Sequence, residues 1–466
     1  MNSKVFHFFV AFGASCFFIA LIPSNVAVNY EGNGVLFEVS CAFVAYYIVY
    51  GVKVSQSLVS AQAIIGVIWF FRFFLPNMFV ENTYHPVLQM VGMTDVGQFQ
   101  VATILTNAAT LMALSSASLF GKLVKLDLRH TRASWSKVSQ VSMISFVVGL
   151  TSILLFLVIN VGSLSEAVIE GSMRSMDVVR GSGYLWYVGL AVIPSSLLYA
   201  YSQYQRIGCF TPSMLIPVVI AFFVLSLLGG RVRALIPVAA IGFLFMRVTG
   251  LDKPSLKSFF MMASGLFGVL IYMAIAMTYR AGGINTVIEL GVDEVITYAA
   301  WTIPGEIGQL HGPYLAIAYG EGNLIGQTYQ ALLWPLSEIL NLGPRNTGVI
   351  VRDLGIGEDV YERNWGFHPS LIGDALLNFG RWFIPVKFII LGCVMGWFQS
   401  KKRLSAIAIP TSILVTLGLA RSFSESTDKI SELYVYLAVL YFIYAFGNRL
   451  RIPSNIRLKS ISAKVD

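Results

Sequence analysis

At 466 residues, with 56% hydrophobic and only 12% charged side chains, the chain is too apolar to be a soluble globule, and its mean hydropathy of +0.71 agrees. The formal net charge of +8 does not mark a nucleic-acid binder, because the lysines and arginines sit in small groups at the ends of apolar runs, as membrane topology requires. Cys16, Cys41, Cys209 and Cys393 are far apart in sequence and form no Cys-x-x-Cys, which leaves them as packing residues.

The first apolar run, Val5 to Ile22, is followed by Pro23-Ser24-Asn25 without a small-x-small cleavage site, and by many further runs. It therefore reads as an uncleaved first helix rather than a signal peptide. Runs near the length that crosses a hydrocarbon core, about 20 residues, recur at 35–51, 58–75, 101–121, 139–161, 184–203, 213–229, 233–247, 258–279, 383–399, 404–421 and 431–447. The expectation is an all-α polytopic membrane protein of twelve transmembrane helices, the eighth of them short. Its parts would be helices one to nine in 1–279, a large loop at 280–382, helices ten to twelve in 383–448, and a basic tail at 449–466.

Lysine and arginine decide the orientation. One set of alternate loops holds Lys53, Lys122, Lys125, Arg129, Arg132, Lys137, Arg206, Lys253, Lys257, Lys401, Lys402 and Arg403. Both termini join that set, which should be cytoplasmic. The opposite loops, such as VNYEGNG, carry almost no basic residues, and 280–382 falls with them on the outer side.

That outer loop is polar and internally patterned. INTVIELGVDEVITYAAW and GQTYQALLWPLSEIL mix apolar and polar residues at helical spacing, as short helices lying on the interface would. Between them, Glu321 stands in YGEGN, where flanking glycines let the backbone approach a ligand. The later stretch interleaves Arg345, Arg352, Arg363 and Arg381 with Asp353, Glu358, Asp359, Glu362, His368 and Asp374. Charges of both signs gathered in one loop beside a bilayer point to a charged or highly hydroxylated substrate.

Arg231 and Arg233, in GGRVRA, occupy the outer turn between the seventh and eighth spans, with Arg280 and Arg421 ending other spans at about the same depth. A planar guanidinium fork suits phosphate through paired, charge-assisted hydrogen bonds. The plainer alternative is that these arginines snorkel to headgroups or pair with carboxylates such as Glu425 and Asp428.

HPSLIGDALLNFG, His368 to Gly380, following an arginine-rich outer loop, resembles the closing motif of Wzy-type polymerases, which join lipid-linked oligosaccharide repeats into O-antigen or capsular polysaccharide. Gly373-Asp374 and Asn378-Phe379-Gly380 carry the likeness, and GGRVRA is similar to the family's arginine turn. Asp374 departs from the pattern, which favours glutamate. The resemblance implies a GT-C-like, metal-independent integral-membrane glycosyltransferase of the bacterial inner membrane, with no cofactor. Its partners would be an undecaprenyl-pyrophosphate-linked glycan as donor, a second lipid-linked repeat as acceptor, and membrane lipids, with a chain-length regulator as a candidate.

That reaction needs a group to take a hydroxyl proton and cations to stabilise a departing pyrophosphate. His368 or Asp374 fits the first role. Arg231, Arg233, Arg280, Arg345, Arg352 and Arg363 fit the second, while Tyr361 and Trp365 suit stacking on sugar rings, with Glu321 and Asn378 as hydrogen-bonding neighbours. His368 could instead cap the helix after Pro369, and Asp374 could pair with Arg381 two turns on. No Asp-x-Asp or His-x-x-x-His motif suggests a bound metal. An O-antigen ligase shares the same donor chemistry, whereas a transporter or flippase shares the helix count but has no use for so long an outer loop.

Overall fold

The computed structural model describes residues 3–22, 34–75, 96–123, 132–161, 183–227, 231–289, 320–333, 370–400, 406–425 and 429–449, with a few isolated positions between them. Six expected site residues, Arg345, Arg352, Tyr361, Arg363, Trp365 and His368, lie outside these, as do the side chains of Arg231 and Arg280.

The described residues are helical and contain no strand. The helices are α1 (Ser3–Leu21), α2 (Gly34–Ser55), α3 (Ala61–Trp69), α4 (Val96–Ser118), α5 (Arg132–Val161), α6 (Gly183–Gly189) and α7 (Val192–Ile207). They continue with α8 (Ile216–Leu227), α9 (Arg231–Thr249), α10 (Leu256–Glu289), α11 (Ser370–Phe379), α12 (Phe383–Ser400), α13 (Ala408–Ser424) and α14 (Lys429–Arg449). Among the described residues nine helical segments are long and apolar enough to cross a membrane, so the chain is a polytopic membrane protein. Three of the twelve predicted runs form shorter apolar helices, Ala61–Phe74, Pro212–Leu227 and Ala408–Phe423. The eighth run, expected to be short, is instead a full-length helix, Val232–Thr249.

The elements obey local rules. Ser60 caps α3 by accepting from the Ala63 amide at 3.3 Å. Gly208, at φ +84°, ends α7 as its amide reaches the Tyr204 carbonyl at 2.8 Å. The ninth run does not stop at Arg280. The helix continues to Glu289 and absorbs the start of the segment expected to lie on the interface. GQTYQALL begins not as an amphipathic α-helix but as a 3-10 turn, Gln327–Leu333.

Helix α4 is the centre of one half of the bundle, buried from Val101 to Ser118 and packed by α1, α2, α3 and α12. Its Ala, Ser and Thr side chains let neighbours approach closely, as close packing in a membrane requires. Gly392 and Gly396 of α12 lie directly on it. A Cβ at Gly392 would overlap the Ala113 carbonyl and Ser116, and one at Gly396 would stand 2.7 Å from the Ala117 carbonyl. The other half packs α5, α8, α9 and α14 around α7, with α13 between the halves touching both.

The direction of the helices separates the two ends. At one, Arg247 of α9 donates to Ser412 of α13 at 3.0 Å, and Ser57 donates to Asp252 at 3.0 Å. The other end holds the start of α9, the end of α13 and the start of α14.

Candidate functional site

A charged cluster occupies that second end. Arg233 lies in the first turn of α9, Arg421 in the last turn of α13 and Glu432 in the first turn of α14. The helix dipole favours a cation near a C-terminus and an anion near an N-terminus, so Arg421 and Glu432 sit where their helices stabilise them. Glu432 holds both arginines. Arg233 donates through Nη2 to Oε1 at 2.7 Å and through Nε at 3.2 Å, and Arg421 donates through Nη1 to Oε2. Arg421 also places Nε and Nη2 on the two oxygens of Glu425, both at 3.0 Å. The Tyr436 hydroxyl donates to Glu432 at 3.3 Å, and the Arg233 guanidinium lies over the Trp186 ring at 4.8 Å.

Helix α11 is docked against this cluster. It is only ten residues long and buried from Ser370 to Asn378, so its stability depends on what meets its ends. Ser370 has a left-handed φ of +61°, held by its amide donating to the Glu425 carbonyl at 2.7 Å, and its hydroxyl accepts from the Gly373 amide. One turn on, Asp374 accepts from the amide of Thr427 at 2.9 Å and from its hydroxyl. Lys387 of α12 donates to the same hydroxyl at 3.3 Å and to the Leu371 carbonyl at 2.9 Å, with its ammonium 4.8 Å from the centre of the Tyr329 ring. Burial, together with the charge of Asp374, pushes the Tyr329 phenol well above its usual range.

The other end of α11 is closed by the 320–333 segment. Gly322 and Leu324 donate backbone N–H to the Leu376 and Leu377 carbonyls at 2.8 and 2.9 Å, and Gly380, at φ +74°, turns the chain. Asn378 donates to Thr328 Oγ1 at 2.6 Å. Arg381 donates to Glu321 from Nε at 2.9 Å and from its backbone amide at 3.1 Å, while its Nη1 reaches the Ile22 carbonyl at the end of α1.

Of the expected site residues, Arg233, Glu321, Asp374 and Asn378 are thus described, and all four belong to this end of the bundle. Their engagements differ from the expectation. Arg233 pairs with Glu432, a partner that the sequence reading did not name, through Nε and Nη2 but not Nη1. Glu321 is committed to Arg381, so Arg381 is not the partner of Asp374 that its position two turns on suggests. Asp374 is fully buried against Thr427, and Asn378 fastens α11 to Thr328. As arranged, both fix the helix.

No protein-family model, curated protein or solved structure matches the chain. The site is therefore argued from its own residues. The sequence reading missed Trp186, Lys387, Thr427, Glu432 and Tyr436. For Lys387 and Glu432 a signal existed, since each is a charge next to or inside an apolar run, where a buried partner is required. Among the described residues no three His, Cys, Asp or Glu side chains group to hold a metal ion. Arg233, Arg421 and Lys387 each already donate to acceptors of the protein itself, so the cluster is closed to a free anion unless one of those acceptors yields its place. It can fix the mutual positions of five helices at the rim of the bundle, and present the more exposed edge of Arg233 there.

Proposed function

We propose that the chain is a polymerase that joins undecaprenyl-pyrophosphate-linked oligosaccharide repeats at the extracytoplasmic face of a bacterial inner membrane. The observation that supports this best is the convergence of charged groups from α9, α11, α12, α13 and α14 at one end of the bundle. If α10 crosses the membrane as its length allows, the 280–382 segment leaves and returns at that same end. In this reading twelve helices span the bilayer, both termini are cytoplasmic, and the segment lies outside.

The roles divide accordingly. Arg233, Glu432 and Arg421 clasp the helix ends, while Asp374 and Asn378 hold α11 at its fixed depth. Diphosphate would be met by arginines outside that closed network, Arg231, Arg280, Arg345, Arg352 and Arg363. His368, two residues before Ser370, takes the acceptor's proton, and Tyr361 and Trp365 stack on sugar.

The test is the surface polysaccharide of cells whose own copy is deleted and replaced by variants. Arg231→Ala and Arg352→Ala should abolish chain extension with the protein still in the membrane, leaving single repeats on the lipid core. Arg231→Lys should recover little, because an ammonium lacks the paired donors. Normal chain lengths in Arg231→Ala would remove the pyrophosphate role, and loss of even single repeats would identify a ligase instead.

A further inference from the structure

Beyond the charged cluster, Arg72 stands without a carboxylate among the described residues. It lies in Phe-Phe-Arg-Phe-Phe, the five-residue π-helical turn Phe70–Phe74 that finishes α3. π-turns inside or at the end of a helix recur at functional sites, because they re-aim side chains that an α-turn would stack. The turn is at the same end of the bundle as the cluster. Phe73 packs edge-on against Phe423, two residues after Arg421, and Phe423 packs against Phe388, next to Lys387, with ring centres at 5.8 and 5.1 Å.

Among the described residues the Arg72 Nη1 atom is buried and has no hydrogen-bond acceptor, while the residue as a whole stays partly exposed. A guanidinium does not lose its proton, so it cannot escape that cost by becoming neutral. Arg233, Arg381 and Arg421 each have a glutamate; Arg72 forms no ion pair among the described residues. Arg72 shares its partial exposure with Phe71 and Phe74, and Phe70 of the same turn is 39% exposed, so lipid would meet this turn in a bilayer. An anion that arrives there comes with an apolar tail attached.

We propose that Arg72 binds the phosphate of a membrane-borne lipid, through the paired hydrogen bonds that a guanidinium makes with phosphate oxygens. The proposal requires only that the chain sits in a bilayer, so it stands or falls apart from the polymerase reading. Two sources share the chemistry: a phospholipid headgroup and a polyprenyl diphosphate.

The experiment uses the full chain, purified in a phosphate-free detergent, with Arg72→Gln, Arg72→Lys and Arg72→Met. Binding of phosphatidylglycerol and of a polyprenyl diphosphate is followed by native mass spectrometry and by the shift in melting temperature on adding each lipid. Loss of one charge-assisted pair predicts about tenfold weaker binding in Arg72→Gln, with Arg72→Lys between. A loss confined to the diphosphate assigns the site to a lipid-linked substrate, and an equal loss for both assigns it to headgroups. Without lipid, Arg72→Met should melt no lower than wild type, because no partner is removed. Unchanged binding of both lipids in Arg72→Gln, or a lower melting temperature for lipid-free Arg72→Met, overturns the proposal.

Discussion

Arg233 donates to Glu432 across 199 residues of chain, at 2.7 Å, and that contact fastens the start of α9 to the start of α14. Glu432 is 1% exposed and serves Arg421 as well, so removing its carboxylate leaves Arg233 without its glutamate and takes from Arg421 one of the two it holds. Breaking one side of a buried pair costs about 3–5 kcal/mol. Glu432→Ala should therefore lower the melting temperature in detergent sharply. Arg233→Met combined with Glu432→Leu should recover much of the loss, since apolar replacement of both partners is often neutral. Failure of the double variant to recover would mean that the pair does more than fasten two helices.

The contact between α12 and α4 gives a second prediction. Gly392 and Gly396 face Ala113 and Ala117, small residues at the same four-residue spacing on both helices, and backbone atoms of α4 occupy the space that a Cβ would need. Rigid backbone cannot rotate away, so Gly392→Val should cost at least the 1–3 kcal/mol or so usual for overpacking. Less folded protein should reach the membrane. Gly13→Ala on α1, where nothing lies within 4 Å, should leave the level unchanged or raise it. Equal behaviour of the two variants would count against close α4–α12 packing.

What could be read in the sequence followed from one-dimensional signals. Apolar length revealed the membrane helices, and the arginines of GGRVRA, which the structure places in the first turn of α9 rather than in a turn before it, marked the end of the bundle where charge collects. Partner choice was legible where it is local, as in Arg421 with Glu425 one turn on, but not where Arg233 meets Glu432 and Arg381 meets Glu321 through packing of segments distant in sequence. Gly392-x-x-x-Gly396 is visible in the sequence, yet only the small-residue face of α4 gives it meaning. Arg280 misled for a physical reason. An arginine does not end a helix, and α10 runs on through it to Glu289.

Glu321 and Arg381 give a third prediction. Their ion pair, with the Gly322 and Leu324 amides on α11, holds the 320–333 segment over the α11–α12 junction, and Arg381 adds the end of α1. Side-chain exposures of 11% and 23% mean that water screens the pair in part, so its worth is nearer 1 kcal/mol than the buried figure. Glu321→Ala should barely change the melting temperature but should speed protease cleavage in 320–333. A cleavage pattern identical to wild type would show that the backbone contacts hold the segment unaided.

The final prediction separates two roles for Asp374. Its carboxylate is fully buried and accepts from both the amide and the hydroxyl of Thr427, with Lys387 reaching the same hydroxyl. If the group fastens α11 in this way, Asp374→Asn should lose about 1–3 kcal/mol of stability, as expected when a charged acceptor in a buried network is replaced. Thr427→Val should produce a similar loss, and the Asp374→Asn, Thr427→Val double variant should lose less than the sum, because both singles break the same contact. A proton acceptor in the reaction would behave otherwise. Asp374→Asn would then abolish chain extension at wild-type stability, and Thr427→Val would not follow it. Measuring melting temperature and polysaccharide length on the same three variants distinguishes the two, and the burial of Asp374 predicts the parallel loss of stability.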